Sequence, residues 1–204
     1  MTVDAFGTLF DLPDPAPALA AELGTRGVVR DPVAVARAFA AEATFYLPRA
    51  VRGTDPTSLA ALRRDCAAVF LSELEAELDP DEFAPAFVGA LDFRVVAGAR
   101  EALGALRGAG LSLACVANWD VSLFGWLERT GLDSYFATIV SSAEVGAQKP
   151  DPRIFELALM RIGVDANRAL HIGDSDADRE GAHAAGLAFE PTPLATLPER
   201  LGLA

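Results

Sequence analysis

Four short stretches of this sequence each close an apolar run with polar atoms that could do chemistry together. They are Val3-Asp4-Ala5-Phe6-Gly7-Thr8, Cys115-Val116-Ala117-Asn118, Gln148-Lys149-Pro150 and Ile172-Gly173-Asp174-Ser175-Asp176-Ala177-Asp178. An early aspartate, a lone lysine and a late acidic pair suit a magnesium-assisted attack by a carboxylate on an electrophile. A solvated carboxylate attacks poorly, so it must be fixed in line and kept ionised. Lys149 would keep Asp4 deprotonated and partly neutralise an incoming anion. Mg²⁺ takes hard oxygen ligands in an octahedron and retains several waters. One oxygen of Asp4, one of Asp174 and a backbone carbonyl would suffice to hold it. Gly7 lets the chain turn sharply after Asp4.

The elements that must position these residues follow from hydrophobic periodicity. Residues 111–117, 137–141 and 169–173 read as buried strands, alternating with helices over 121–129, 152–162 and 178–185. Asp151 caps the second of these helices, with Pro152 at its first position. Strand–helix alternation with short loops predicts an α/β fold with a parallel sheet, and such sheets carry sites at the carboxyl ends of their strands. Asp4, Asn118 and Asp174 each fall at or just past such an end. Residues 13–92 differ: four helical patterns (16–23, 32–46, 56–78 and 81–91) follow one another with no strand among them. Asp31, Asp55 and Asp79 or Asp81 are their starters. The expected organisation is an α/β core over 1–12 and 93–204, interrupted by a four-helix subdomain over 13–92 that could cover the site. Only three residues precede Asp4, fewer than the five or six usual for a central strand, which favours a chain that starts upstream of Met1.

Composition narrows the partners. The 204 residues are 51% apolar and carry a formal charge of −12. That field repels phosphate backbones, so nucleic acid and anionic membrane surfaces are not expected partners. A small anionic substrate would have to be drawn in by local cations. No uninterrupted apolar stretch approaches the roughly 18 residues of a membrane span. The two cysteines, Cys66 and Cys115, read as buried free thiols, and a cytoplasmic location follows from them. A monomer and a homodimer both accord with the sequence.

Taken in order, the four motifs resemble the haloacid dehalogenase (HAD) superfamily, in the branch with a helical cap after the first motif. The run Ala117-Asn118-Trp119-Asp120 and the later Lys149-Pro150-Asp151-Pro152-Arg153-Ile154-Phe155 are similar to its less characterised hydrolases. The resemblance implies a Rossmann-like core, a cap that opens and closes, and Mg²⁺. It implies that Asp4 is the nucleophile, Lys149 the third-motif lysine, and Asp174 with Asp178 the acidic metal-binding end. It also implies that the backbone carbonyl of Phe6 joins the metal, with Thr8 and Asn118 meeting the substrate. The fourth motif is one residue shorter than usual, leaving Asp176 and Asp178 as alternatives for the supporting role.

Two departures bear on activity. Phe6 stands where the family's phosphatases place an aspartate that protonates the leaving group and activates water, a contribution of about 10²–10⁴-fold. The family's dehalogenases carry a large aromatic at that place, but Gly173-Asp174-Ser175 is a metal-binding form and their cap arginine region has no counterpart here. Ala117 replaces the second-motif Ser/Thr, losing a hydroxyl donor worth roughly 1–3 kcal/mol to a bound anion. Asn118 could substitute through its amide or backbone N–H, and Asp120 could serve as a displaced acid/base if its loop turned inward. The leading expectation is a magnesium-dependent phosphatase acting slowly on a small phosphorylated metabolite through an aspartyl-phosphate. A catalytically weakened binding protein is the alternative, and a 2-haloacid dehalogenase-like enzyme the third.

Overall fold

The structure, a computed structural model, describes residues 1–203 and divides into two compact units. One comprises Met1–Asp11 with Val95 onward, the other Leu12–Arg94. The first is α/β. Its strands are β1 (Thr2–Val3), β4 (Ala114–Ala117), β5 (Thr138–Ser141), β6 (Leu170–Gly173) and β7 (Ala188–Pro191). They form one sheet in the order β5-β4-β1-β6-β7. Every pairing is parallel, so every carboxyl end faces the same way. Short strands β2 (Phe10–Asp11) and β3 (Arg94–Val95) lie where the chain passes between the units.

Six α-helices among the described residues complete this unit: α5 (Ala99–Gly108), α6 (Leu123–Thr130), α7 (Ser142–Val145), α8 (Arg153–Ile162), α9 (Asp176–Ala184) and α10 (Leu197–Arg200). α8 packs on β4 and β5, and α9 on β6 and β7. Their apolar faces enclose Ala114, Val116, Val140, Ile154, Phe155 and Leu159. Strands buried on both faces must be continuously apolar, which is why Ala114–Ala117 contains no polar side chain.

The central strand has two residues, yet both flanks hold it. Thr2 and Val3 pair with Ala114 and Cys115 on one side and with His171 and Ile172 on the other. Just outside the strand, the Met1 ammonium donates to Ser112 O at 2.7 Å, Ala114 N–H to Met1 O at 2.9 Å and Asp4 N–H to Ile172 O at 2.9 Å. The shortness of the strand is offset by a ladder on each side.

The second unit contains α1 (Ala16–Thr25), α2 (Pro32–Tyr46), α3 (Pro56–Glu73) and α4 (Pro80–Gly89). The carboxylates of Asp31, Asp55 and Asp79 accept backbone N–H groups at three of the starts, each worth about 1 kcal/mol. Phe70 stacks on Phe83 at 6.0 Å and tilts against Phe87 at 5.1 Å, inside a core of Leu19, Leu23, Val35 and Leu62.

Helix boundaries shifted in two informative places. α3 ends at Glu73 and not at residue 78. The Arg30 guanidinium takes Leu74 O at 2.7 Å and Glu75 O at 2.9 Å, and Glu75 turns to a φ of +49°. The helix is closed locally, with Leu74 N–H and Ala76 N–H both reaching Leu71 O and Glu75 N–H reaching Ser72 O, and Arg30 holds the two carbonyls just beyond its end. α9 begins at Asp176, two residues earlier than the apolar pattern gave. Ser175 caps it and Asp178 closes the reciprocal capping box.

Candidate active site

Sheet register brings the motifs together. Val3 lies level with Cys115 and Ile172, so Asp4 emerges between the ends of β4 and β6. Lys149 comes from the loop between α7 and α8. Its backbone is gripped by the Asn118 side chain, whose Oδ1 accepts Lys149 N–H at 2.7 Å and whose Nδ2 donates to Lys149 O at 3.0 Å. The Lys149 ammonium then reaches three acceptors: Asp4 Oδ1, Asp178 Oδ1 at 2.5 Å and Val116 O at 3.2 Å. An ammonium has three protons, and each has an acceptor here.

Asp4 is buried, with Oδ1 bound by Lys149 and Oδ2 met by the Thr8 hydroxyl at 3.3 Å. That distance is long for an O–H···O bond, so Oδ2 is the less committed oxygen. Asp178 is the opposite case. Its Oδ1 receives Lys149 and His171 Nε2 (2.9 Å), and its Oδ2 receives Ser175 N–H (3.2 Å) and Ser175 Oγ–H (2.5 Å). Four donors fill the lone-pair sites of a carboxylate.

The charges explain the titration of the group. Burial pushes the Asp4 carboxyl up to about 7, with Lys149 pulling it down and Asp178 raising it further. Burial opposes the Lys149 charge, but Asp4 and Asp178 outweigh it and raise the pKa. Burial also opposes ionisation of Asp178, yet the His171 hydrogen bond and the Lys149 charge hold its carboxyl well below the usual range. Partial burial, then the charge of Asp178, raises Asp174. Burial drives the His171 imidazole down to about 4 against the pull of Asp178, so the ring is neutral near pH 7.

Asp4, Asp174 and Asp178 each offer an oxygen within 4.8 Å of the others. Three carboxylates therefore face one ammonium. Asp174 has no ion pair among the described residues and stands against Gly7. A Cβ on Gly7, whose φ is +78°, would lie 2.0 Å from Asp174 Oδ2. A hard-oxygen set with excess negative charge and a cradle that only glycine permits fits a divalent cation. Because the Asp178 oxygens are already occupied, the less committed donors are Asp174 and Asp4 Oδ2. Asp178, expected among the metal residues, lies within the same carboxylate group and also holds Lys149.

Other expectations fare differently. The Asn118 amide is engaged by the Lys149 backbone through one N–H and one oxygen lone pair, which leaves its second amide proton as a donor. Thr8 is buried and directed at Asp4. Of the two fourth-motif alternatives, Asp178 is buried beside Lys149 while Asp176 pairs with Arg179 on the surface at 2.8 Å. Asp120 is buried, and its carboxylate accepts Ser122 N–H at 2.7 Å. Phe6 is 49% exposed and Ala117 is buried; neither brings a titratable group. Cys66 and Cys115 are buried and neither forms a disulfide.

His171 is fully buried, and it joins Thr2 to Asp178. The Asn118–Lys149 clamp was not foreseen. Ser175-Asp176-Ala177-Asp178 carried one usable signal, the Ser-x-x-Asp capping spacing that fixes where Asp178 points.

A parallel α/β unit with an aspartate, lysine and aspartate cluster at its strand ends defines a class of Rossmann-like hydrolase folds. The haloacid dehalogenase-like hydrolase family matches residues 2–186, and the chain belongs to that family. Haloacid dehalogenase-like hydrolase domain-containing protein 3 of Mus musculus is 39% identical over 108 residues, 52% of this chain and 43% of that protein. A phosphoglycolate phosphatase of Thiobacillus denitrificans is 36% identical over 131 residues, 58% of this chain and 56% of that protein. The chain thus spans about half the length of these curated relatives. Among solved structures, a 2-haloacid dehalogenase from Pseudomonas syringae is 25% identical with a TM-score of 0.67, covering 98% of this chain and 96% of that one. No helix among the described residues is long and apolar enough to cross a membrane.

Proposed function

We propose that this protein is a magnesium-dependent phosphatase acting on a small phosphate ester, with Asp4 as the nucleophile. The observation that carries the reading is Lys149, held between Asp4 and Asp178 while Asp4 Oδ2 and Asp174 remain for other partners. Mg²⁺, when bound, would supply positive charge to the phosphoryl oxygens. One oxygen of Asp4 attacks phosphorus, forming an acyl phosphate as the ester P–O bond breaks. The departing alkoxide takes its proton from water, because Phe6 has none to give. Water then cleaves the acyl phosphate, releasing phosphate and restoring the carboxylate. Lys149 favours the ionised form of Asp4 against the effect of burial and balances charge on the phosphoryl group. The backbone N–H of Asn118 takes the place of the hydroxyl that Ala117 lacks. Turnover is slow, since protonation of the leaving group is unassisted.

The paired Phe6 and Ala117 favour a second reading, a site that binds phosphate without hydrolysing it. A panel of phosphorylated metabolites assayed with Mg²⁺, with Asp4→Asn as control, separates the two. Release of phosphate that Asp4→Asn abolishes supports the phosphatase. Binding of inorganic phosphate and Mg²⁺ with no turnover on any ester supports the second reading and sinks the first.

A further inference from the structure

His171 lies on β6 with no exposed surface and touches neither Asp4 nor Lys149 by hydrogen bond. Its Nδ1 is 2.9 Å from Thr2 Oγ1 and its Nε2 is 2.9 Å from Asp178 Oδ1. An ionised Asp178 can only accept, so Nε2 carries the proton and Nδ1 the lone pair, to which Thr2 donates. Its two partners therefore assign the tautomer. Phe155 stands edge-on to the ring at 4.8 Å and limits its rotation. A buried imidazole is costly unless both nitrogens are satisfied, and here both are. An aliphatic side chain would suit the same strand position without any such requirement.

The oxygen of Asp178 that receives His171 is the one that receives Lys149, while Ser175 holds the other oxygen. Rotation of the carboxylate is thereby blocked from both sides. Gly173 completes the fit, because a Cβ there would lie 2.4 Å from Asp178 Cγ. We infer that His171, oriented by Thr2, is a positioning residue that sets the place of the Lys149 ammonium through Asp178. It touches no reacting atom. The kinetic consequence rests on the hydrolase reading above, whereas the structural consequence does not.

The test uses the full chain with His171→Leu, His171→Gln and Thr2→Val, each followed by a crystal structure and by kcat and KM on an ester that the wild type hydrolyses. In His171→Leu, Asp178 should turn and the ammonium should leave its place between the two carboxylates. Its kcat should drop about 10–100-fold, the usual effect of removing a group that orients a functional one, with KM little changed. His171→Gln, whose amide can donate to Asp178, should recover most of that loss. Thr2→Val keeps the strand's shape and should show a smaller fall in kcat at a wild-type unfolding midpoint, which serves if His171→Leu does not fold. An unmoved Lys149 in the Leu and Val variants, wild-type kcat in both, or no rescue by Gln would overturn the inference. Were the wild type inactive on every ester, the proposed function would fail while the crystallographic comparison still decided the positioning role.

Discussion

Asn118 holds Lys149 by both backbone polar groups, accepting from its N–H at 2.7 Å and donating to its C=O at 3.0 Å. The two residues are 31 apart in sequence, and the clamp ties the end of β4 to the loop that delivers the ammonium. Asn118→Ala removes both bonds and leaves two partly buried backbone groups unpaired. A loss of about 1–3 kcal/mol in stability is expected, read by urea unfolding. Turnover should fall with it, by about 10–100-fold. A variant that unfolds at the wild-type midpoint and keeps full turnover would refute the clamp's role.

Phe6→Asp should raise the rate of ester hydrolysis. The ring occupies the place two residues past Asp4 and is half exposed, so a carboxyl there would be open to solvent. The gain should approach about 10²–10⁴-fold if the new group protonates the leaving alkoxide. Phe6→Ala is the control. It makes the same space without an acid, and an equal gain from it would discredit the argument.

Gly7→Ala should abolish cation binding while leaving the helical unit folded. Its φ of +78° is one that alanine tolerates poorly, and the added methyl would meet Asp174 Oδ2 at 2.0 Å. Backbone strain of about 1–2 kcal/mol adds to the displacement of a carboxylate. Mg²⁺-dependent thermal shift reads the outcome; an undiminished shift would show that Asp174 is not a ligand.

Mg²⁺ affinity should rise with pH and level off above about 7. The Asp4 carboxyl titrates near 7 and Asp174 above its ordinary value. Below these values the metal-free protein carries protons that the cation must displace, so binding is weakened by acid. Above them the carboxylates are already ionised and the dependence disappears. Calorimetry near pH 6.5 in buffers of different ionisation enthalpy should detect proton release on binding. Asp4→Asn should lose the part due to Asp4, and proton release equal to that of the wild type would count against this assignment.

Much of the architecture is legible without coordinates because it depends on local signals. Alternating apolar runs mark β4, β5 and β6, and aspartates before Pro32, Pro56 and Pro80 mark helix starts that their side chains do cap. The end of α3 is not legible: a left-handed turn at Glu75 stops it after Glu73, and no glycine near residue 74 announces it. Within the site, Asp4 and Asp174 were readable as strand-end carboxylates. The work of Asn118 was not, because its side chain faces Lys149 and not the space ahead of the strand.

By itself the sequence determined which residue types stand at the ends of the strands, and hence the family and the class of chemistry. That follows because strand periodicity and turn residues act over a few neighbours. Tertiary structure alone decided how those groups are divided. It gave Asp178 to Lys149, left Asp174 beside Gly7, and placed His171 between Thr2 and Asp178. The reason is physical: a carboxylate's role depends on which donors occupy its oxygens, and here those donors come from segments brought together only when the parallel sheet forms.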